Sequence, residues 1–224
     1  MVPEKTNSYK RERYKFGNPF DLDNDAAYHA WLEYKMDDYP QDLSDIIVEV
    51  NDPRKLSTAE YKVIRDLVKK TNMAIYAGNT GDDPDKAIPV ELARQFGLIH
   101  PDDNMGADDG ITALRVAADE WRGDYIPYTN KPIHWHTDGY YNTLSRQIRA
   151  MTLHCVRPAA SGGRNELIDH EMAYIYLRDL NPEYIRALSV ADVMTIPANE
   201  VDGVVTRAEQ TGPVFSVDAE GNLH

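Results

Sequence analysis

Hydrophobic positions recur at helical spacing through the first hundred residues and at strand-like spacing after them. Residues 1–20 are mostly polar and suit a path over a surface. Asp23-Asn24-Asp25 then offers cap residues for a helix over 26–36, which Pro40 closes off. Branched residues within 45–50 predict a short strand. Ser57-Thr58-Ala59-Glu60 has the form of a capping box, opening a helix to Lys70 with Tyr61, Ile64 and Val68 on one face. Residues 73–77 read as a buried strand, 78–84 as turns, and 88–96 as a helix ended by Gly97.

From Ile111 the pattern changes. Strands are predicted over 111–117, 125–126, 146–156 and 166–169, then over 190–195, 204–207 and 213–217. Two helices interrupt them, one over 170–180 and one that Asn181-Pro182 opens and that runs to Leu188. Helices first and short strands later make an α+β pattern, best met by a double-stranded β-helix (jelly roll) core with flanking helices. A single domain is expected, helical over about 1–110 and jelly roll over about 111–224. Residues 216–224 read as strand, turn and the start of a returning strand. A domain seldom stops inside a hairpin arm, so the jelly roll is expected to be incomplete at the C-terminus and the chain to be part of a longer enzyme.

Composition narrows the partners. A formal charge of −13 repels nucleic acid and anionic membranes, so neither is an expected partner. The lone Cys155 excludes an internal disulfide and a Cys-rich metal site, and its place in an apolar run predicts a buried thiol. The start of the chain lacks a signal-peptide core, and no run approaches the length of a membrane span, which together predict a cytoplasmic location.

The chemistry concentrates in Pro132-Ile133-His134-Trp135-His136-Thr137-Asp138-Gly139-Tyr140-Tyr141. Side chains two apart on a strand share a face, so His136 and Asp138 can converge on one ion. An imidazole and a carboxylate are two arms of the 2-His-1-carboxylate triad, which leaves coordination positions open for a cosubstrate and oxygen. Alone, His-x-Asp also describes a hydrogen-bonded pair at a strand end. His134 falls on the same face, and such clustering is costly unless a metal or solvent receives it. Trp135 points to the opposite face, the side of a core.

Trp135-His136-Thr137-Asp138, then a long strand, then Ser161-Gly162-Gly163 and Ala173-Tyr174, resembles the taurine/2,4-D dioxygenase (TauD/TfdA) family of clavaminate-synthase-like enzymes. Gly212-Pro213-Val214 and residues 218–223 resemble a later hairpin of that family. The resemblance implies Fe(II) held by His136 and Asp138, with 2-oxoglutarate as cosubstrate. It implies oxidation of a small molecule coupled to decarboxylation of 2-oxoglutarate. Related halogenases lack the carboxylate, so Asp138 favours hydroxylation or a related oxidation.

The chain departs from that pattern in two places. Arg164-Asn165 follow the Gly pair where the family carries an acidic residue and Thr or Ser, leaving Asn165 to donate to 2-oxoglutarate. The later histidines are His154, His170 and His224, and none stands with an arginine as the family's distal ligand does. His154 falls on a strand face as a core or half-buried histidine, and His170 at a helix start as a capping residue. A C-terminal partner chain or a second copy would then complete the centre. Tyr140, His134 and Asn142 are the candidate substrate contacts, while Tyr125, Tyr128, Tyr141 and Arg146 lie near enough to line a pocket or to face solvent. Two other readings stay open: a cupin-like metal site using His134 and His136, and a binding or assembly module without catalysis.

Overall fold

The computed structural model describes residues 15–102, 109–116, 126–201 and 203–224. They divide into two compact units, one formed by Met1–Asn51, Ser57–Asn79 and Pro158–His224, the other by Asp52–Leu56 and Thr80–Arg157.

The first unit holds most of the regular structure. Helix α1 (Asp25–Met36) starts where Asn24 accepts a hydrogen bond from the Ala27 amide, and it buries Ala27, Tyr28, Trp31 and Lys35. Strand β1 (Ile47–Val50) follows a short 3-10 turn over Leu43–Ile46. Helix α2 (Thr58–Thr71) opens on the capping box: Ser57 accepts from the Glu60 amide and Glu60 accepts from the Ser57 amide. Ile64 and Thr71 are its buried residues, whereas Val68, expected on the same face, is exposed. Asn72 ends the helix in the left-handed region, at φ 58°. Strand β2 (Ile75–Gly78) pairs parallel with β1, Ile47 opposite Ile75 and Val50 opposite Gly78, so α2 is the crossover of one βαβ unit.

Helix α4 (His170–Leu180) is capped by Asp169, and α5 (Pro182–Leu188) by Asn181 with Pro182 in its first turn. In the second unit, α3 (Ala87–Gln95) buries Ile88 and Leu92, and Gly97 follows it at φ +83°. Gln95 ties α3 to the preceding segment, accepting from the Leu56 amide at 2.8 Å and donating to the Pro53 carbonyl at 3.0 Å.

After α5 the first unit forms two nested hairpins. Strand β3 (Met194–Ile196) pairs antiparallel with β6 (Gln210–Gly212), and β4 (Asn199–Val201) with β5 (Val204–Arg207). Residues 216–224 close as the expected hairpin: Ser216 and His224 exchange both backbone hydrogen bonds, and Val217 bridges Leu223.

Aromatic and branched side chains from distant parts of the chain make the core of this unit. Phe20, Tyr28 and Trp31 meet Tyr174, Ile175, Ile185, Phe215 and Leu223. Their rings meet edge to face, with centroids 5.0 Å apart for Phe20 and Trp31 and 5.5 Å for Tyr174 and Phe215. Beside this core sits a buried ion cluster. Lys35 donates to Asp169 at 2.6 Å, to Glu171 at 2.7 Å and to the Lys70 carbonyl at 2.7 Å, filling its three N–H positions. Asp169 also accepts from Tyr39, Asn72 and the Glu171 amide.

The double sheet of a jelly roll is not seen among the described residues. The chain is α+β, but the strands of its described residues form three two-stranded sheets. Residues 111–116, 146–156 and 166–169 carry no ladder, and 126–128 is a 3-10 turn; Ala117 and Tyr125 lie outside the described residues. Thr152, His154 and Val156 are half-buried while Met151, Leu153 and Cys155 are exposed, so the alternation of a strand survives over 151–156. A strand also needs a neighbour to receive its N–H and C=O groups, and alternation cannot provide one. Cys155 is therefore exposed rather than buried. No helix among the described residues is long and apolar enough to cross a membrane.

Candidate metal centre

Local geometry builds the site from one stretch of the second unit. His136 and Asp138 turn toward each other, with His136 Nε2 at 3.5 Å from Asp138 Oδ1. The other ring nitrogen, Nδ1, lies 2.7 Å from the His134 carbonyl oxygen. A carbonyl only accepts, so Nδ1 carries the hydrogen, and Nε2 is the ring nitrogen turned to the carboxylate. Two electron-pair donors then face one gap, and a cation or a proton completes the arrangement. Both side chains are solvent-accessible, His136 at 37% and Asp138 at 50%, so an ion can reach them.

The chain turns sharply straight after Asp138. Gly139 has φ +66°, and a Cβ there would run into Ile148 Cγ1 and come within 2.9 Å of Asn142 Nδ2. The Asn142 amide donates to the Gly139 carbonyl at 2.7 Å, closing the turn. Asn142 Nδ2 donates to the Arg146 carbonyl at 3.1 Å, and Arg146 Nη2 donates to Asp102 at 3.0 Å. Asn142 and Arg146 thus hold the turn itself. Asp102 is the participant that the sequence did not reveal, because it comes from an acidic loop distant in the chain.

Tyr140 is 48% exposed and stacks edge to face on Tyr141, with centroids 5.2 Å apart. Tyr128 is buried. Trp135, expected in a core, is 63% exposed, since no sheet among the described residues covers its face of the run. His134 is exposed and enters the site through its carbonyl. Asn165 belongs to the other unit, where it follows Gly162 and Gly163 at φ +68° and +71° and donates to the Gly163 carbonyl at 3.3 Å. His170 does not cap α4; Asp169 does, and the His170 ring contacts the Leu223 carbonyl at 3.1 Å. Among the described residues no group of three His, Cys, Asp or Glu side chains converges, so His136 and Asp138 stand as a pair.

The profile of the taurine catabolism dioxygenase TauD, TfdA family matches residues 37–223. The chain belongs to this family. The match takes in the His-x-Asp run, the Gly-Gly turn and the C-terminal hairpin together. A uridine-5'-phosphate dioxygenase from an Amycolatopsis species is 34% identical over 93 residues, which make up 40% of this chain and 31% of that enzyme. The chain therefore covers under a third of that relative's length. No solved structure matches the chain.

Proposed function

We propose that this TauD/TfdA chain carries part of the iron centre of an Fe(II)- and 2-oxoglutarate-dependent dioxygenase acting on a small molecule. The reading rests on one observation, the convergence of His136 Nε2 and Asp138 Oδ1 with Nδ1 already engaged. The two donor atoms face each other across 3.5 Å in solvent-accessible positions, as a shared cation would need. The donor set fits as well, one imidazole nitrogen and one carboxylate oxygen being common to the iron triad of such oxygenases.

His136 and Asp138 would hold the ion, which supplies the position where oxygen and 2-oxoglutarate react. When bound, the ion would supply oxidative decarboxylation of 2-oxoglutarate to succinate and carbon dioxide, coupled to hydroxylation of the substrate by dioxygen. Tyr140 and His134 would serve as substrate contacts. A third ligand and a cation for the cosubstrate would come from outside the described residues. The relative's name supports a small polar substrate, and uridine 5'-phosphate belongs in the first panel tested.

Anaerobic addition of Fe(II) and 2-oxoglutarate should give a weak visible charge-transfer band. His136→Ala and Asp138→Ala should each abolish it. A band that survives His136→Ala overturns this ligand assignment. Metal binding lost with His136→Ala but unchanged in Asp138→Ala would instead indicate the cupin-like use of His134 and His136. No metal binding, with or without added partner segments, would leave a binding module.

A further inference from the structure

We propose that Asp102 is a positioning residue for the metal-binding pair, acting through Arg146 and Asn142 on the turn that leaves Asp138; this rests on the iron site proposed above. The contacts form a closed path within the second unit. Asp102 Oδ1 accepts from Arg146 Nη2 at 3.0 Å, and Asp102 Oδ2 lies 3.5 Å from Asn142 Nδ2. The same Asn142 amide nitrogen donates to the Arg146 carbonyl at 3.1 Å, and the Asn142 backbone amide donates to Gly139 at 2.7 Å. Residues 139–146 supply every member of this path except Asp102, which fastens the loop from outside.

Burial points the same way. The Asp102 side chain is 29% exposed against 61% for Arg146, so the carboxylate is the sheltered anchor and the guanidinium reaches in to it. The turn it fastens begins one residue after Asp138 and depends on a left-handed Gly139 whose neighbour Ile148 leaves no room for a side chain. Any unwinding of that turn swings the Asp138 carboxylate away from His136 Nε2. A pair of ligands held on exposed backbone depends on such contacts for its spacing, and losing outer contacts of this kind commonly weakens metal binding by about tenfold or more.

The test has a metal-free arm and an iron arm, both on the whole chain. In the metal-free chain, Asp102→Ala should speed hydrogen exchange at the Asn142 amide by about tenfold. Arg146→Ala should do the same, and the double variant should exchange no faster than either single one. In the iron arm, Asp102→Ala should weaken Fe(II) affinity by about tenfold in anaerobic calorimetry, and Asp102→Glu should restore most of it. Unchanged exchange in Asp102→Ala overturns the proposal, whatever the metal result. Faster exchange with unchanged Fe(II) affinity also overturns it, provided His136→Ala abolishes binding. If His136→Ala binds Fe(II) as well as the parent chain, the iron reading itself has failed. Should Asp102→Ala lose its helical circular dichroism, Asp102→Asn, which keeps the shape and removes the charge, takes its place.

Discussion

His154 shows how one side chain can report on its surroundings. It is half-buried, and burial holds its pKa below the ordinary 6.5 against a smaller upward pull from the Asp83 carboxylate. In the window between the lowered value and 6.5, the unfolded chain binds the proton more readily than the folded one. Stability is therefore fully present above about pH 6.5 and declines as the pH falls through the window. His154→Gln should lose less stability than the parent between pH 7 and 5 in urea denaturation; parallel losses would show that burial of this ring carries no linkage. The same scale shows what a sequence can disclose about a site. His136 and Asp138 are two residues apart, so their meeting is a local event and was legible. Asp102 is recognisable as a partner of Arg146 only once the loops have folded. Trp135 and Cys155 are exposed because inward-outward alternation does not by itself supply a covering sheet.

At the scale of elements, helices and strands differ in how far their causes reach. Asn24, Ser57, Asp169 and Asn181 each cap the helix that follows through a backbone amide within three residues. Helix ends were therefore readable to within a residue or two. The predicted strands that form no ladder among the described residues share the opposite trait, since each needs a partner segment to receive its backbone groups. The parallel β1–β2 pair forms because α2 returns the chain alongside, and β3 to β6 because short turns do. The capping box of α2 makes a measurable case. Ser57→Ala should cost about 1 kcal/mol in chemical denaturation. Glu60→Ala should cost at least as much, because Glu60 also accepts from the Asn51 amide at 2.8 Å and so fastens the end of β1. A Glu60→Ala chain as stable as the parent would refute that added role.

On the scale of the molecule, the Lys35 cluster joins α1, the end of α2 and the start of α4 in the first unit. Lys35, Asp169 and Glu171 are each almost wholly buried, and Tyr39, donating to Asp169, has its hydroxyl pKa pushed up, chiefly by burial and then by that carboxylate. Lys35→Ala removes the cation and leaves two buried carboxylates facing each other, which should cost about 3–5 kcal/mol in thermal or urea unfolding. Replacing the whole set as Lys35→Met, Asp169→Asn and Glu171→Gln should recover much of that loss; a triple variant no better than Lys35→Ala would mean the charges stabilise the fold outright. No sequence pattern announced this cluster, because a lysine on an otherwise apolar helix face reads as an exposed position. The hydrophobic core has a further consequence, one of timing. Phe20, Tyr28 and Trp31 leave the ribosome early, but Phe215 and Leu223, which close over them, follow nearly two hundred residues later. Contacts of such wide sequence separation form slowly, and until they form α1 offers its aromatic face to solvent and to other chains. Refolding yield of the first unit should therefore fall as protein concentration rises, and a yield independent of concentration would count against this exposure.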